Sequence, residues 1–198
     1  MLKKSLLPVL LFSTINAAQV NTIRQYPIDT NHSTIGFSVS IMNGLSRVNG
    51  KFTDFTVTLT NDDKDITKSS VSVVIKAASI NTGIPARDAD LRSAAFFEVE
   101  KYPEITFQSK RIEKKGKQLF ALGTFTMHGV SKEITLPFQI TGVNKDAASK
   151  KMNLGYSARI VLNRRDFGIN WTHPKVPNFV GDNVEIEIHL ITRAIDVK

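Results

Sequence analysis

Four apolar residues, Ile134, Leu136, Phe138 and Ile140, alternate with Thr135, Pro137, Gln139 and Thr141, and the same period of two recurs along most of the chain. A strand turns successive side chains to opposite faces, so this pattern commits each such segment to a sheet with one buried face. Ile35, Phe37, Val39 and Ile41 mark a first strand, which Asn43-Gly44 turns back. A second, bent at Asn49-Gly50, carries Val48, Phe52, Phe55, Val57 and Leu59, and Val71, Val73 and Ile75 mark a third. Ile105 and Phe107 open a fourth that ends near Gly116, and Leu119, Ala121, Gly123 and Phe125 form one side of a fifth. The segment from Ile134 is the sixth; Leu154, Tyr156, Ala158, Ile160 and Leu162 define the seventh, and Val184, Ile186, Ile188 and Leu190 the eighth. Pro137 has no amide to donate, so the sixth strand lies at an edge, at a bulge, or with that position turned away from its partner.

One stretch, Asn81 to Lys110, breaks this rhythm. Asp88 and Arg92 stand four apart in the order that favours a helical pair, and Leu91, Ala94 and Ala95 make a narrow apolar face. Pro103 forbids the helix to continue and presses Tyr102 toward extended geometry. The expected fold is therefore all-β: eight antiparallel strands, up and down, closing on themselves or stacked as a sandwich, with a short helical insertion. An eight-stranded barrel is either filled by its side chains or holds one small ligand, and strand pattern does not choose between them.

The first residues have another purpose. Met1-Leu2-Lys3-Lys4, the apolar run from Leu6 to Phe12 and the small pair Ala17-Ala18 have the layout of a secretory signal peptide. Residues 1–17 are expected to be that signal, cleaved after Ala17 or Ala18, and residues 18–198 a single domain. The apolar run is far short of the roughly 20 residues a membrane span needs. With no cysteine, the exported domain has no disulfide and rests on its core, which leans toward a bacterial periplasm. Formal charge is +8. Such a balance attracts anionic headgroups, or simply keeps the domain soluble, and export argues against nucleic acid.

Signals for catalysis are weak. His32, His128, His173 and His189 are scattered, with no HExxH and no pair at metal-ligand spacing, and no GxSxG elbow is present. Arg87, Asp88, Asp90 and Arg92 lie together, as do Arg164, Arg165 and Asp166; either set is a head-group clamp or a surface salt-bridge network. Trp171 lines a mouth or plugs the core. Twelve Phe against three Tyr and one Trp supply large surfaces without polar handles, suited to a dry core or to a tunnel for an aliphatic chain.

Four segments, taken in order and spacing, carry a resemblance. They are Tyr26-Pro27-Ile28-Asp29 through His32-Ser33 to Ile35-Gly36-Phe37; Arg87 through Leu91-Arg92-Ser93 to Phe96-Phe97, Tyr102-Pro103 and Ile105-Thr106-Phe107; Phe125-Thr126-Met127-His128-Gly129-Val130-Ser131-Lys132; and Leu162-Asn163-Arg164 through Asp166-Phe167-Gly168. Gly181-Asp182 fits as well. In these the chain resembles the YceI-like proteins, a polyisoprenoid-binding, lipocalin-like family, from about Tyr26 to Ile191. The resemblance implies an extended eight-stranded antiparallel lipocalin-like barrel with a helical element at one end and a long apolar tunnel. It also implies an exported bacterial protein, linked to stress responses, that carries one long-chain amphiphile such as an isoprenoid, an isoprenoid quinone or a fatty amide.

On that reading the tunnel wall is Phe37, Val39, Phe52, Phe55, Phe107, Phe125, Leu136, Phe138, Tyr156 and Ile160. Leu91, Phe96, Phe97 and Ile105 join it from the insertion, and Phe167 and Trp171 from beyond the seventh strand. His32, Arg87, Asp90, Arg165 and Asp166 form its polar mouth. Asp90 stands where many relatives carry His; a carboxylate only accepts, so an amide, alcohol or quinone head suits it better than a pyrophosphate. Neither catalytic residues nor a metal or cofactor are expected. The expected partners are the lipid, a transient membrane-surface contact and a second copy in a homodimer. The rival readings are a head-group-modifying enzyme using His32, Asp166 or Asp90, and a filled barrel that docks a protein partner.

Overall fold

β2 (Thr34–Ile41) and β3 (Ser46–Phe52) form a hairpin, and β4 (Phe55–Asp62) follows β3 in the same direction after only Thr53-Asp54. The computed structural model describes residues 23–62, 64–145, 151–193 and 195–196, so the expected signal, residues 1–17, lies outside the described residues. The remaining strands are β1 (Ile23–Tyr26), β5 (Ser70–Lys76), β6 (Ile80–Asn81), β7 (Glu104–Lys115), β8 (Gln118–Met127), β9 (Val130–Lys145), β10 (Lys151–Asn163), β11 (Val180–Ile191) and β12 (Ile195–Asp196). They make one antiparallel sheet in the order β1-β4-β5-β7-β8-β9-β10-β11-β2-β3-β6, with β12 added to β10.

The two ends of this path meet in the chain itself. β3 pairs with β2, Phe52 opposite Ile35, whereas β4 pairs with β5, Phe55 opposite Ile75. One continuous segment thus serves both margins, and the sheet curls round an interior. The eight expected strands are present, with the second divided into β3 and β4. Its break falls at Thr53-Asp54, not at Asn49-Gly50, because these two residues are bonded elsewhere: the Thr53 amide donates to Ser79 O at 3.2 Å, and Asp54 O accepts from Lys76 N at 3.0 Å. Gly50 has a different role, since the Phe37 ring occupies the space that a side chain there would fill. The additional strands β1, β6 and β12 have only two to four residues, too few to show an alternation.

Inward positions of the alternation build the core, with Ile35, Phe52, Ile75, Ile105, Phe107 and Phe125 each less than a tenth exposed. Each such side chain contributes about 1.5–3 kcal/mol by leaving water. Pro137 sits on an interior strand, opposite Phe120 of β8. The ladder from β9 to β10 runs from Lys145 opposite Met152 to Phe138 opposite Ala158 and ends there. Pro137 therefore stands just past the ladder, where no donor is required, and β9 and β10 part company toward their other ends.

The helix α1 (Pro85–Arg92) opens on Pro85, whose fixed φ suits a first helical position. The expected Asp88–Arg92 pair is replaced by separate partners. Asp88 is buried and accepts from the amide and hydroxyl of Thr82 at 2.9 and 2.6 Å, while Arg92 donates to Ala78 O at 2.7 Å and Ile80 O at 3.0 Å. These four bonds fasten α1 to the chain on either side of β6 and to β6 itself, which outcompetes a solvent-exposed pair along the helix. Ala94 and Ala95 follow the helix and are exposed, so the narrow face reduces to Leu91.

Candidate functional site

Antiparallel order sorts the connections between two ends of the barrel. At one end lie the β2–β3 turn, α1 with the chain to β7, the β8–β9 turn at His128-Gly129, and the connection from β10 to β11. At the other lie β1, the turn Thr30–His32 and the β7–β8 turn at Gly116.

Beneath the α1 end the strands enclose about 1210 Å³ of empty space, solvent at its opening included, with an apolar wall. Of the expected tunnel residues, Phe37, Val39, Phe52, Phe107, Phe125, Leu136 and Ile160 line it from the strands. Leu91, Phe96, Phe97 and Ile105 line it from the insertion. A second space of about 720 Å³, solvent at its opening again included, lies toward the other end, where Phe138 and Tyr156 join Val57, Leu59, Ile112 and Leu190. The two chambers share a waist of Ile35, Val73, Phe107, Leu136 and Ile188. Along β11 they reach from Val180 to Leu190. At a strand's rise, and allowing for the usual tilt in a barrel, that is an axial length of roughly 25 Å.

Phe55, Phe167 and Trp171 lie outside both walls. Phe55 is buried at the start of β4, and Phe167 packs edge-on against Phe125 with ring centres 5.3 Å apart. Trp171 stacks on Phe96 at 5.2 Å, so it braces a lining residue instead of lining the cavity itself.

The residues expected at a polar mouth are not gathered into one. His32 is at the far end, exposed and bonded to Asp29 at 2.8 Å. Arg87 turns back to the hydroxyl and carbonyl of Thr82 at 2.8 and 3.1 Å. Asp90 is exposed on α1. Arg165 donates to Asp182 at 2.7 Å, and Asp166 meets Lys132 at 3.2 Å across the place where β9 and β10 separate.

Arg164 is the cationic residue that reaches the cavity wall. It is 5% exposed and donates to Gly181 O at 3.0 Å, Ile169 O at 2.7 Å, Val180 O at 3.2 Å and Asp182 Oδ1 at 3.0 Å. Burial holds its pKa below the ordinary arginine value, partly offset by the Asp182 carboxylate. Strand parity is the signal that separates it from Arg165, since Ile160, Leu162 and Arg164 continue one face. His128, which stands in one of the motif segments without an expected role, is a second such residue. Its Nδ1 lies 3.1 Å from Phe167 O, which only accepts, so this nitrogen carries the proton. Its ring packs on Tyr102 at 4.5 Å, and its buried Nε2 lies 3.8 Å from Glu98. One imidazole thus fastens the insertion, the β8–β9 turn and the chain after β10 together. Among the described residues no group of three or more His, Asp or Glu is placed to hold a metal ion.

A family model described as a YceI-like domain matches residues 26–192. Protein YceI of Salmonella arizonae is 34% identical over 170 residues, covering 85% of this chain and 88% of that one. Among solved structures, BcnA of Burkholderia cenocepacia superposes with a TM-score of 0.73 at 22% identity, covering 84% of this chain and 99% of that one. The YCEI protein of Campylobacter jejuni gives 0.64 at 31% identity, with 78% and 87% covered. A polyisoprenoid binding domain from Saccharophagus degradans, implicated in plant cell wall breakdown, gives 0.63 at 17% identity, with 86% and 98% covered.

Proposed function

The chain belongs to the YceI-like family, and from that premise we propose that it is an exported carrier that sequesters one long-chain amphiphile, an isoprenoid by preference, with the tail in its interior. The single observation that carries this reading is the pair of apolar chambers that lie end to end and share the wall residues Ile35, Val73, Phe107, Leu136 and Ile188. Their axial length of roughly 25 Å exceeds the ~15 Å that one leaflet of a bilayer offers an acyl chain, which favours a longer tail. Each methylene buried contributes about 0.8 kcal/mol, so ten carbons supply a gross ~8 kcal/mol before the costs of ordering. The polyisoprenoid-binding relative of like fold supports the same class of ligand.

The head group sits at the α1 end in this reading, where exposed Asp90 favours an alcohol, amide or quinone over a pyrophosphate. The signal-like first residues support export, with the working protein running from residue 18 onward in a bacterial periplasm. Loading and release occur by transient contact with a membrane, and a homodimer is tested by light scattering. Protein purified from a native-like host, denatured and extracted, yields one class of long-chain amphiphile by mass spectrometry. Recovery of empty protein that also fails to bind polyprenols or fatty amides overturns the reading.

A further inference from the structure

A tail held in both chambers does not leave through water, because each methylene exposed on the way lowers the rate about fourfold. On the carrier reading, exchange therefore needs a surface that meets the bilayer. The α1 end carries such groups. Leu45 is 81% exposed and Met42 47% exposed on the β2–β3 turn, Val176 is 36% exposed on the connection from β10 to β11, and Ile84 just before α1 is 50% exposed.

These segments are held in place. Met42, Asn43 and Gly44 all have positive φ, 52°, 57° and 91°, which leaves Leu45 at an uncovered corner. The Met42 amide donates to Phe179 O at 2.8 Å, joining the turn to the neighbouring connection. There His173 Nδ1 accepts from the amides of Lys175 and Val176 at 3.1 and 3.0 Å, and its ring packs on Phe179 at 4.9 Å. The same connection reaches the cavity through Trp171 stacked on Phe96. The two stretches that would enter the bilayer, 42–50 and 169–179, contain Arg47 and Lys175 and no acidic residue, and the acids of α1, Asp88 and Asp90, follow Arg87 on the helix. Arg47 is met by Glu185 at 2.8 Å, whereas Lys175 has no acidic partner among the described residues.

We infer that this rim docks on a bilayer bearing anionic phospholipid, with Leu45, Met42 and Val176 entering the headgroup region and Lys175 pairing with phosphate. The inference rests on the carrier reading but fails separately from it. Because the chain has no cysteine, an environment-sensitive nitrobenzoxadiazole label can be placed at Ser46→Cys beside the rim, or at Lys114→Cys at the far end. With full-length protein and phosphatidylglycerol–phosphatidylcholine vesicles, the label at position 46 brightens and shifts blue, and the label at 114 does not. Pure phosphatidylcholine gives a weaker response. Combining Met42→Asn, Leu45→Ser and Val176→Ser weakens the response at least about tenfold, since each change removes apolar burial of that order. Met42→Asn keeps a residue that tolerates the left-handed backbone, and an unchanged melting curve shows the triple variant folded.

Equal responses from both labels, no response at 46, the same response to pure phosphatidylcholine, or a triple variant that responds like the parent overturns the docking surface. So does a signal that follows protein concentration without vesicles, which marks a second copy as the occupant. Uptake of a polyprenol from detergent, read by mass spectrometry, stays unchanged in the triple variant. A parent protein that docks but takes up no polyprenol removes the carrier reading and leaves docking standing.

Discussion

Arg164→Met tests what holds the covered end of the barrel. Methionine keeps much of the apolar stem but removes four hydrogen bonds, leaving the carbonyls of Gly181, Ile169 and Val180 without this donor. Asp182 retains Arg165 at 2.7 Å, so its charge is not stranded. The bond to Ile169 is buried and charge-assisted, worth about 2 kcal/mol, and the partly buried ones about 0.5–1 kcal/mol each. Relief from desolvating a guanidinium offsets part of this, for a net loss of about 3 kcal/mol. In a domain of this size that lowers Tm by roughly 6–12 °C. Thermal unfolding by circular dichroism at neutral pH measures it. Trp171 emission reports whether the connection lifts from Phe96 before global unfolding. A change in Tm under about 2 °C refutes the claim that Arg164 clamps this end.

The Asp88→Ala variant loses two short bonds from Thr82, at a cost of about 2 kcal/mol by urea unfolding. The Thr82 hydroxyl, foremost, holds the Asp88 carboxyl below its ordinary value against the opposing effect of burial. Its contribution is therefore complete above the unfolded-state pKa and is lost as pH falls through the folded one, so the stability gap between parent and variant is constant at neutral pH and narrows only below about pH 4. A gap that stays constant below that pH as well contradicts this assignment. Gly123→Ala sets a methyl against Gln108 O and the Ser109 backbone beside the bulge of β7, costing about 2 kcal/mol or more, whereas Gly142→Ala meets nothing and stays within about 0.5 kcal/mol. Equal melting curves for the two glycine variants would remove the steric argument. Leu136→Trp at the waist shifts the recovered ligand toward shorter tails by mass spectrometry, and an unchanged tail distribution counts against a tail that passes the waist.

Alternation made the strands legible, because a half-buried sheet writes its parity into every second residue. Long-range bonds were not legible. The second strand breaks at Thr53-Asp54 because Ser79 and Lys76 come within reach there, while the more turn-like Asn49-Gly50 stays in register to make room for Phe37. The same blindness governs Asp88 and Arg92, whose spacing suits each other but whose partners lie on Thr82, Ala78 and Ile80. In the candidate site, strand and insertion positions such as Phe52, Phe96 and Phe107 could be placed by parity and local composition. The resemblance carries no information on which end of the barrel holds His32, and only the order of strands puts it at the far end from α1. Arg164, in contrast, was within reach of the parity rule, since it follows Leu162 on the inward face.

A crystal structure of the protein as purified with its ligand tests the central claim most directly. Continuous elongated density from Phe96 past the Leu136 waist to Tyr156, with the head near α1, is the predicted result. Side chains that close both chambers, or density confined to the outer surface, would contradict it.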